Sequence, residues 1–403
     1  MKNVFLFLFV IAVSGITKAQ DYIQTCLRLP DTGQTKSFTN TPGEDSDYQI
    51  NTPFYIDNGD GTITDTITGL MWQKADYGDI SFENATIYTD TLTLAGHTDW
   101  RLPTAHESFS IMNLDVTNPA MNKVYFPLSA AEYWWSSTKQ YNDASKIWVT
   151  NAGGGIGNHL KTESISAGGT KKFYVRAVRS MNNPISLTKR FIDNNDGTIT
   201  DLVTNLIWLK APTSQTYTWE EALTYAENLS YASSSDWRLP NIKELESIRN
   251  DFSSSPAVEQ TFFQIPATLK KLWSSTSLIV KDNSKSWFWD TQFGITTYEL
   301  KTVPLNVLCV RTYTPKQTLS FNENKTNVLK VINNQEMNQI NISLLHPLEG
   351  KMEVFDILGK LILSEKLSST EINISTQSMQ HGTYFLKLIS QTGEIESFKI
   401  SKY

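Results

Sequence analysis

Cysteine is nearly absent: 403 residues contain only Cys26 and Cys309. That excludes the dense disulfide framework of small secreted domains. Histidine is also scarce, at five residues: His97, His106, His159, His346 and His381. None lies in a His-Glu-x-x-His helix, and their scatter argues against a zinc centre. There is no Gly-x-Ser-x-Gly elbow for a nucleophilic serine. Gly153-Gly-Gly-Ile-Gly157 has the composition of a phosphate loop without its strand–turn–helix context or its closing Lys-Ser/Thr. Positive charge is short as well. Lys and Arg number 35 against 41 Asp and Glu, a net charge of −6. With no basic stripe, nucleic acid is a poor partner, and so are acidic glycans. After the N-terminus, no apolar run is long enough for a membrane helix. No cofactor is implied.

What is present begins at the N-terminus. Lys2, an apolar run from Val4 to Val13 and Thr17-Lys18-Ala19 follow the order of a secretory signal peptide cleaved after Ala19. No cysteine stands at that point to carry a lipid. Residues 1–19 are thus the expected signal and 20–50 an N-terminal leader. The remainder is rich in Trp, Tyr, Thr, Asn and Gly, as suits an extracellular β-rich protein.

The middle of the chain repeats itself. Phe54-Tyr-Ile-Asp-Asn-Gly-Asp-Gly-Thr-Ile-Thr-Asp65, running on to Gly69-Leu-Met-Trp72, recurs as Phe191-Ile-Asp-Asn-Asn-Asp-Gly-Thr-Ile-Thr-Asp201, running on to Leu206-Ile-Trp208. Asp99-Trp-Arg-Leu-Pro103 recurs as Asp236-Trp-Arg-Leu-Pro240, and Trp135-Ser-Ser-Thr138 as Trp273-Ser-Ser-Thr276. Trp148 matches Trp287, and Val175–Arg179 matches Val307–Arg311. Landmarks in one order, twice, define two copies of a domain, 51–182 and 187–314.

Each copy opens with strands around a tight turn that Asn-Gly and Asp-Gly supply. Two short helices follow, announced by capping boxes at Thr218/Glu221, Asn241/Glu244 and Thr104/Glu107. Short strands complete a unit expected to be α+β, with helices packed on an antiparallel sheet. Trp72, Trp100, Trp135, Trp208, Trp237 and Trp273 are expected to hold the fold. Arg101 and Arg238 are expected to be paired with a carboxylate or backbone carbonyls, because a buried guanidinium requires a partner. Asp57, Asp60 and Asp65, with Asp193, Asp196 and Asp201, are weak calcium candidates; their spacing departs from an EF-hand loop and turn formation also accounts for them. Ser136 and Ser274 lack a recurrent His partner, which argues against nucleophilic catalysis.

This ordered set of motifs resembles the family of uncharacterised function named for the C-terminal domain of the Legionella collagen-like adhesin. The resemblance implies a fold related to C-type lectins, and a binding or adhesive role rather than catalysis. Members often pair a cysteine in the first helix with one in the closing strand. Here copy one has Ala177 at the closing site, and copy two has Cys309 but Ala226 in the helix. The resemblance therefore implies a Cys26–Cys309 disulfide clamping the leader onto copy two, the alternative being two separate thiols. The Glu-Pro-Asn type of calcium loop that such lectins use for sugars is missing, so any glycan binding is expected to be calcium-independent. Residues kept in both copies hold the fold, so contacts are expected where the copies differ: Asn151–Asn158, and Asp290–Thr297 with Trp287 and Trp289 alongside.

Residues 326–403 follow a linker at 315–325 and change character. Ile, Leu and Val alternate; Asp356-Ile-Leu-Gly359 marks a turn and Gly382-Thr-Tyr-Phe385 opens a strand. A β-sandwich of about seven strands fits. This segment resembles the type A sorting domain of the type IX secretion system of Bacteroidetes. The resemblance implies recognition by that machinery, removal of the domain, and release or attachment at the cell surface. The whole reads as two C-type-lectin-like domains and a small all-β sandwich, in a secreted or surface binding protein with an unidentified ligand, a glycan or matrix component among the candidates. A structural surface component is the alternative, and an enzyme on a lectin-like fold a lesser one.

Overall fold

The computed structural model describes residues 22–24, 28–129, 132–162, 172–181, 185–187, 189–279, 281, 283–313, 328–334, 339–356, 360–377, 379–380, 382–391 and 395–402. The expected export signal, Cys26 and the linker lie outside them. The chain divides into two compact units, Met1–Tyr313 and Thr314–Tyr403.

In the first unit, both copies begin with the same four-stranded antiparallel sheet. In copy one, Val178–Ser180, Leu70–Gln73, Thr62–Asp65 and Tyr55–Asp57 lie side by side; in copy two the order is Val310–Thr312, Leu206–Leu209, Thr198–Asp201 and Phe191–Asp193. The register is the same, with Ile63 opposite Trp72 and Ile199 opposite Trp208. The tight turns work as the sequence implies. Gly59, Gly61, Asn195 and Gly197 all have positive φ, where glycine and asparagine are tolerated best. Trp72 and Trp208 are fully buried, each removing on the order of 150–250 Å² of mostly apolar surface from water.

The second sheets differ. Copy one has five strands, in the order Tyr77–Ile80, Phe173–Val175, Tyr133–Gln140, Asp143–Asn151, Ile156–Leu160, whereas copy two has three, Lys271–Ser277, Lys285–Asp290 and Thr296–Leu300. The Asp-Trp-Arg-Leu-Pro strip joins the two layers of each copy. Arg101 and Val178 exchange backbone hydrogen bonds, as do Arg238 and Val310. Trp100 Nε1 donates to Leu94 O and Trp237 Nε1 to Tyr231 O.

The α+β lectin-like expectation is corrected here. Strands make up 41% of the described residues and helices 11%, in four short helices. These are α1 (Phe82–Thr91), α2 (Ala105–Ser110), α3 (Trp219–Glu227) and α4 (Ile242–Ser247). Capping boxes at Thr104 and Asn241 do start α2 and α4, but a cap fixes where a helix begins and not how far it runs. At six residues each, α2 and α4 complete fewer than two turns. They brace the sheets and form no layer of their own.

One core cluster spans the two copies, beside a smaller cluster within each. A single apolar cluster runs from Trp72, Phe109 and Trp148 of copy one to Trp208, Leu245 and Trp289 of copy two. Tandem repeats joined this way act as one body and not as two beads.

In the second unit, Gln339–Asp356 and Leu361–Ser375 pair along their length, with a register break between Ser343 and Leu348. Before the break the first of these strands also pairs with Val328–Asn334, and after it with Gly382–Ser390, which pairs in turn with Ile395–Lys402. One long hairpin thus serves two sets of partners, and five strands among the described residues stand where about seven were expected. Ile340, Ile342, Leu344, Met352 and Val354 alternate into the core with Ile372, Ile374, Leu386 and Leu388, the period-two signature of a one-sided sheet.

Candidate functional site

Asn151, Asn158, Asp290, Trp287 and Trp289 were expected to contact a ligand. The structure places their two loops against each other. Ile156 N donates to Thr296 Oγ1 at 2.8 Å, and a Cβ on Gly155 would meet the Trp287 ring at 3.3 Å. Trp287 and Trp289 are both buried. Asn151 Oδ1 accepts from Gly153 N and Gly155 N, and Asp290 Oδ1 from Gln292 N and Phe293 N, so each side chain closes its own turn. Asn158 is half-buried beside them. The two loops thus pack against each other.

The same holds where α2 meets α4. His106 and Lys243 stand at the same place in the repeat, two residues after the caps. Each reaches into the other copy. Lys243 Nζ donates to Ser110 O at 2.7 Å, while His106 approaches Glu246 at 3.9 Å and Asp251 at 3.7 Å. Arg249 pairs with Glu246 and Asp251 and stacks on Trp148 of copy one, 4.0 Å from the ring centroid. Burial pushes the Glu246 carboxyl up to about 8.

The expected fold-holding residues sit inside each copy. Arg101 donates to both oxygens of Glu107 at 2.7 and 2.8 Å, and Arg238 to both of Glu244 at 2.6 Å. These are forked, charge-assisted pairs. The same glutamates cap α2 and α4, so each arginine locks a helix start to the sheet. Trp135 Nε1 donates to Ile80 O and Trp273 Nε1 to Tyr217 O.

The weak calcium candidates are occupied by their own turns. Asp57 accepts from Gly59 N and Lys74 Nζ, Asp193 from Asn195 N and Lys210 Nζ. Asp60 and Asp196 each take the N–H and hydroxyl of Thr62 and Thr198. No group of three or more metal-ligating side chains occurs among the described residues. Ser136 and Ser274 are buried and donate to strand carbonyls. Cys309 is buried in copy two, its thiol pushed up to about 12 by burial. Its expected mate, Cys26, lies outside the described residues, and Cys309 carries no disulfide among them.

Sequence reasoning missed a cleft between the leader and α3, of about 400 Å³. Ser37, Thr39, Asn40, Thr41, Glu44 and Asp47 line it with Tyr48 and Glu227. Glu220 and Glu227, two turns apart on α3, share a face. Thr39 Oγ1 donates to Glu220 Oε1 at 2.8 Å and Tyr48 Oη to Glu227 Oε1 at 2.6 Å. Gly43 presses on the helix so closely that a Cβ would stand 2.9 Å from Glu227, and its N–H donates to Asp47. Glu44 accepts from Ser37 Oγ and Phe38 N. The wall is therefore hydroxyl, amide and carboxylate, with no lining cation. It accepts hydrogen bonds from a neutral or positive ligand and repels an anion. Hydroxyl-rich, aperiodic leader sequence reads as linker, so only positive-φ Gly33 and Gly43 hint at a docked path.

A family model for the Lcl C-terminal domain matches residues 61–179 and 197–311, together more than half of the chain. The chain belongs to the Lcl C-terminal domain family. Both Lcl copies lie in the first unit. Residues 330–401 match the secretion system C-terminal sorting domain, a type IX tail that marks the chain for export to the medium or outer surface. No helix among the described residues is long and apolar enough to cross a membrane. No curated protein matches the chain. Among solved structures, a DUF3244-family protein with an immunoglobulin-like β-sandwich fold from Bacteroides vulgatus is 11% identical, covering 20% of this chain and all of its own, with a TM-score of 0.16. PorZ, a surface component of the type IX secretion system of Porphyromonas gingivalis, is 11% identical over 66% of this chain and 30% of its own, with a TM-score of 0.17. Likenesses this distant carry no argument about the fold.

Proposed function

We propose that this is a non-catalytic binding protein of the cell exterior, delivered by the type IX machinery, whose ligand enters the cleft between the leader and α3. The observation that carries the reading is the composition of that cleft. Its volume is within the range of small-ligand sites, and its walls offer paired hydroxyls and carboxylates without a cation. That chemistry suits the hydroxyls of a neutral or amino sugar and disfavours sulfated or phosphorylated ones. Adhesion to glycan or matrix follows from such a site on an exported chain.

The test is a glycan and matrix-protein binding screen on the mature protein, with calcium and with chelator. Binding to neutral or amino sugars that survives chelator and is lost in Thr39→Val and Glu227→Gln supports the site. Binding that those substitutions leave intact, or that prefers sulfated glycans, removes it. No binding at all favours a structural surface component, a reading that the mutually buried Asn151–Asn158 and Asp290–Thr297 loops also suit.

A further inference from the structure

The leader is wedged between the copies by polar contacts that leave one charge uncompensated. Gln34 bridges both, its Nε2 donating to Leu114 O of copy one and to Ser277 O of copy two, and its Oε1 accepting from Ser277 N. Lys243 Nζ, buried, donates to Asp31 O of the leader at 2.8 Å. Asp31 Oδ1 accepts from Thr32 N and Asn241 Nδ2; Asp45 Oδ2 accepts from Thr32 Oγ1 and from Thr276 Oγ1 at 2.6 Å. Both aspartates are 2% exposed, and each keeps one oxygen, Asp31 Oδ2 and Asp45 Oδ1, with no hydrogen-bond partner.

The charged groups facing this pair are Glu244, Arg238 and Lys243. Three buried carboxylates meet two buried cations. Arg238 is taken by Glu244, leaving Lys243 alone for two aspartates. Asp65, also buried, faces the same lysine and adds to the negative excess. A buried unpaired charge takes up a proton rather than stay ionised.

We propose that Asp31 and Asp45 hold one proton between them and that this shared proton clasps the leader onto the two copies. The inference is independent of the ligand proposed for the cleft, although the clasped leader forms one wall of it. Burial raises Asp45 to about 8 and Asp31 to about 6, and the charge of Asp31 adds to the rise at Asp45. Both rise above the ordinary carboxylate value, so the clasp is full at low pH and is lost as pH rises through those values. A closed leader holding one proton that the open leader lacks loses about tenfold in closing constant per pH unit. Lys243, lowered to about 8 by burial, opposes this only at higher pH.

Hydrogen exchange of leader amides 29–50 in the full chain, corrected for intrinsic rates, reads the clasp between pH 6 and 7.5, where the pair holds one proton. Protection is expected to fall about tenfold per pH unit, and Asp45→Asn, which donates without titrating, is expected to abolish the slope. Asp31→Asn serves as the second variant should the first fail to fold. Infrared difference spectra at pH 7 between wild type and Asp45→Asn are expected to show a protonated carboxyl band lost from Asp45, beside the one Glu246 keeps. A flat wild-type profile, an unchanged slope in both variants, or no such band overturns the proposal.

Discussion

Copy one and copy two carry the same landmarks, yet they are not interchangeable. Copy two buries its forked arginine, Arg238 with a side chain 4% exposed, whereas the matching Arg101 is 35% exposed. Asp201 pairs with Arg190, while in copy one the residue at that position is Phe54 and Asp65 keeps an oxygen without a hydrogen-bond partner. The leader docks on α3 and α4 of copy two and on Leu114 and Asp115 of copy one. The shared residues build each copy, and the differing ones join the copies to each other and to the leader. The divergent loops of the two repeats meet at this seam, where ligand contacts were expected.

Equivalent substitutions should break this comparison most visibly at the arginines. Arg238→Ala leaves Glu244 buried without its partner, and chemical denaturation should show a loss of about 3–5 kcal/mol. Arg101→Ala keeps solvent in reach of its glutamate's partner site and should cost about 1–2 kcal/mol in the same assay. Gly154→Ala comes next. Gly154 has φ +93 and a Cβ there would sit 2.4 Å from Leu114 Cδ2, so thermal melting should report a loss of about 1–2 kcal/mol. Gly59→Ala, in open space at φ +76, should cost only the backbone strain, about 1–2 kcal/mol. Smallest is the cleft. Thr39→Val should move stability by no more than about 0.5 kcal/mol while removing ligand binding.

Much of each copy is legible from residue order. The turns, the capping boxes at Thr104 and Asn241, and the need of Arg101 and Arg238 for a carboxylate follow from local chemistry, because the partner lies within six residues. The lectin-like layering that the resemblance implied is not there, since helix length depends on what the sheets leave room for. The seam was not legible. His106, Lys243 and Arg249 look like surface residues of short helices until the second copy is laid against them, and no local pattern reports a contact between residues so far apart. The cleft was hidden for the same reason, its leader wall gaining a fixed path only from Gln34, Asp45 and Tyr48 docking on copy two.

The central claim is that the two copies and the leader unfold as one body. Differential scanning calorimetry of the full chain, wild type against Arg101→Ala and Arg238→Ala, tests it most directly. One shared core predicts that substitutions in either copy lower the same transition. If Arg101→Ala and Arg238→Ala lower two different transitions, each leaving the other in place, the copies are separate domains and the seam is only a contact.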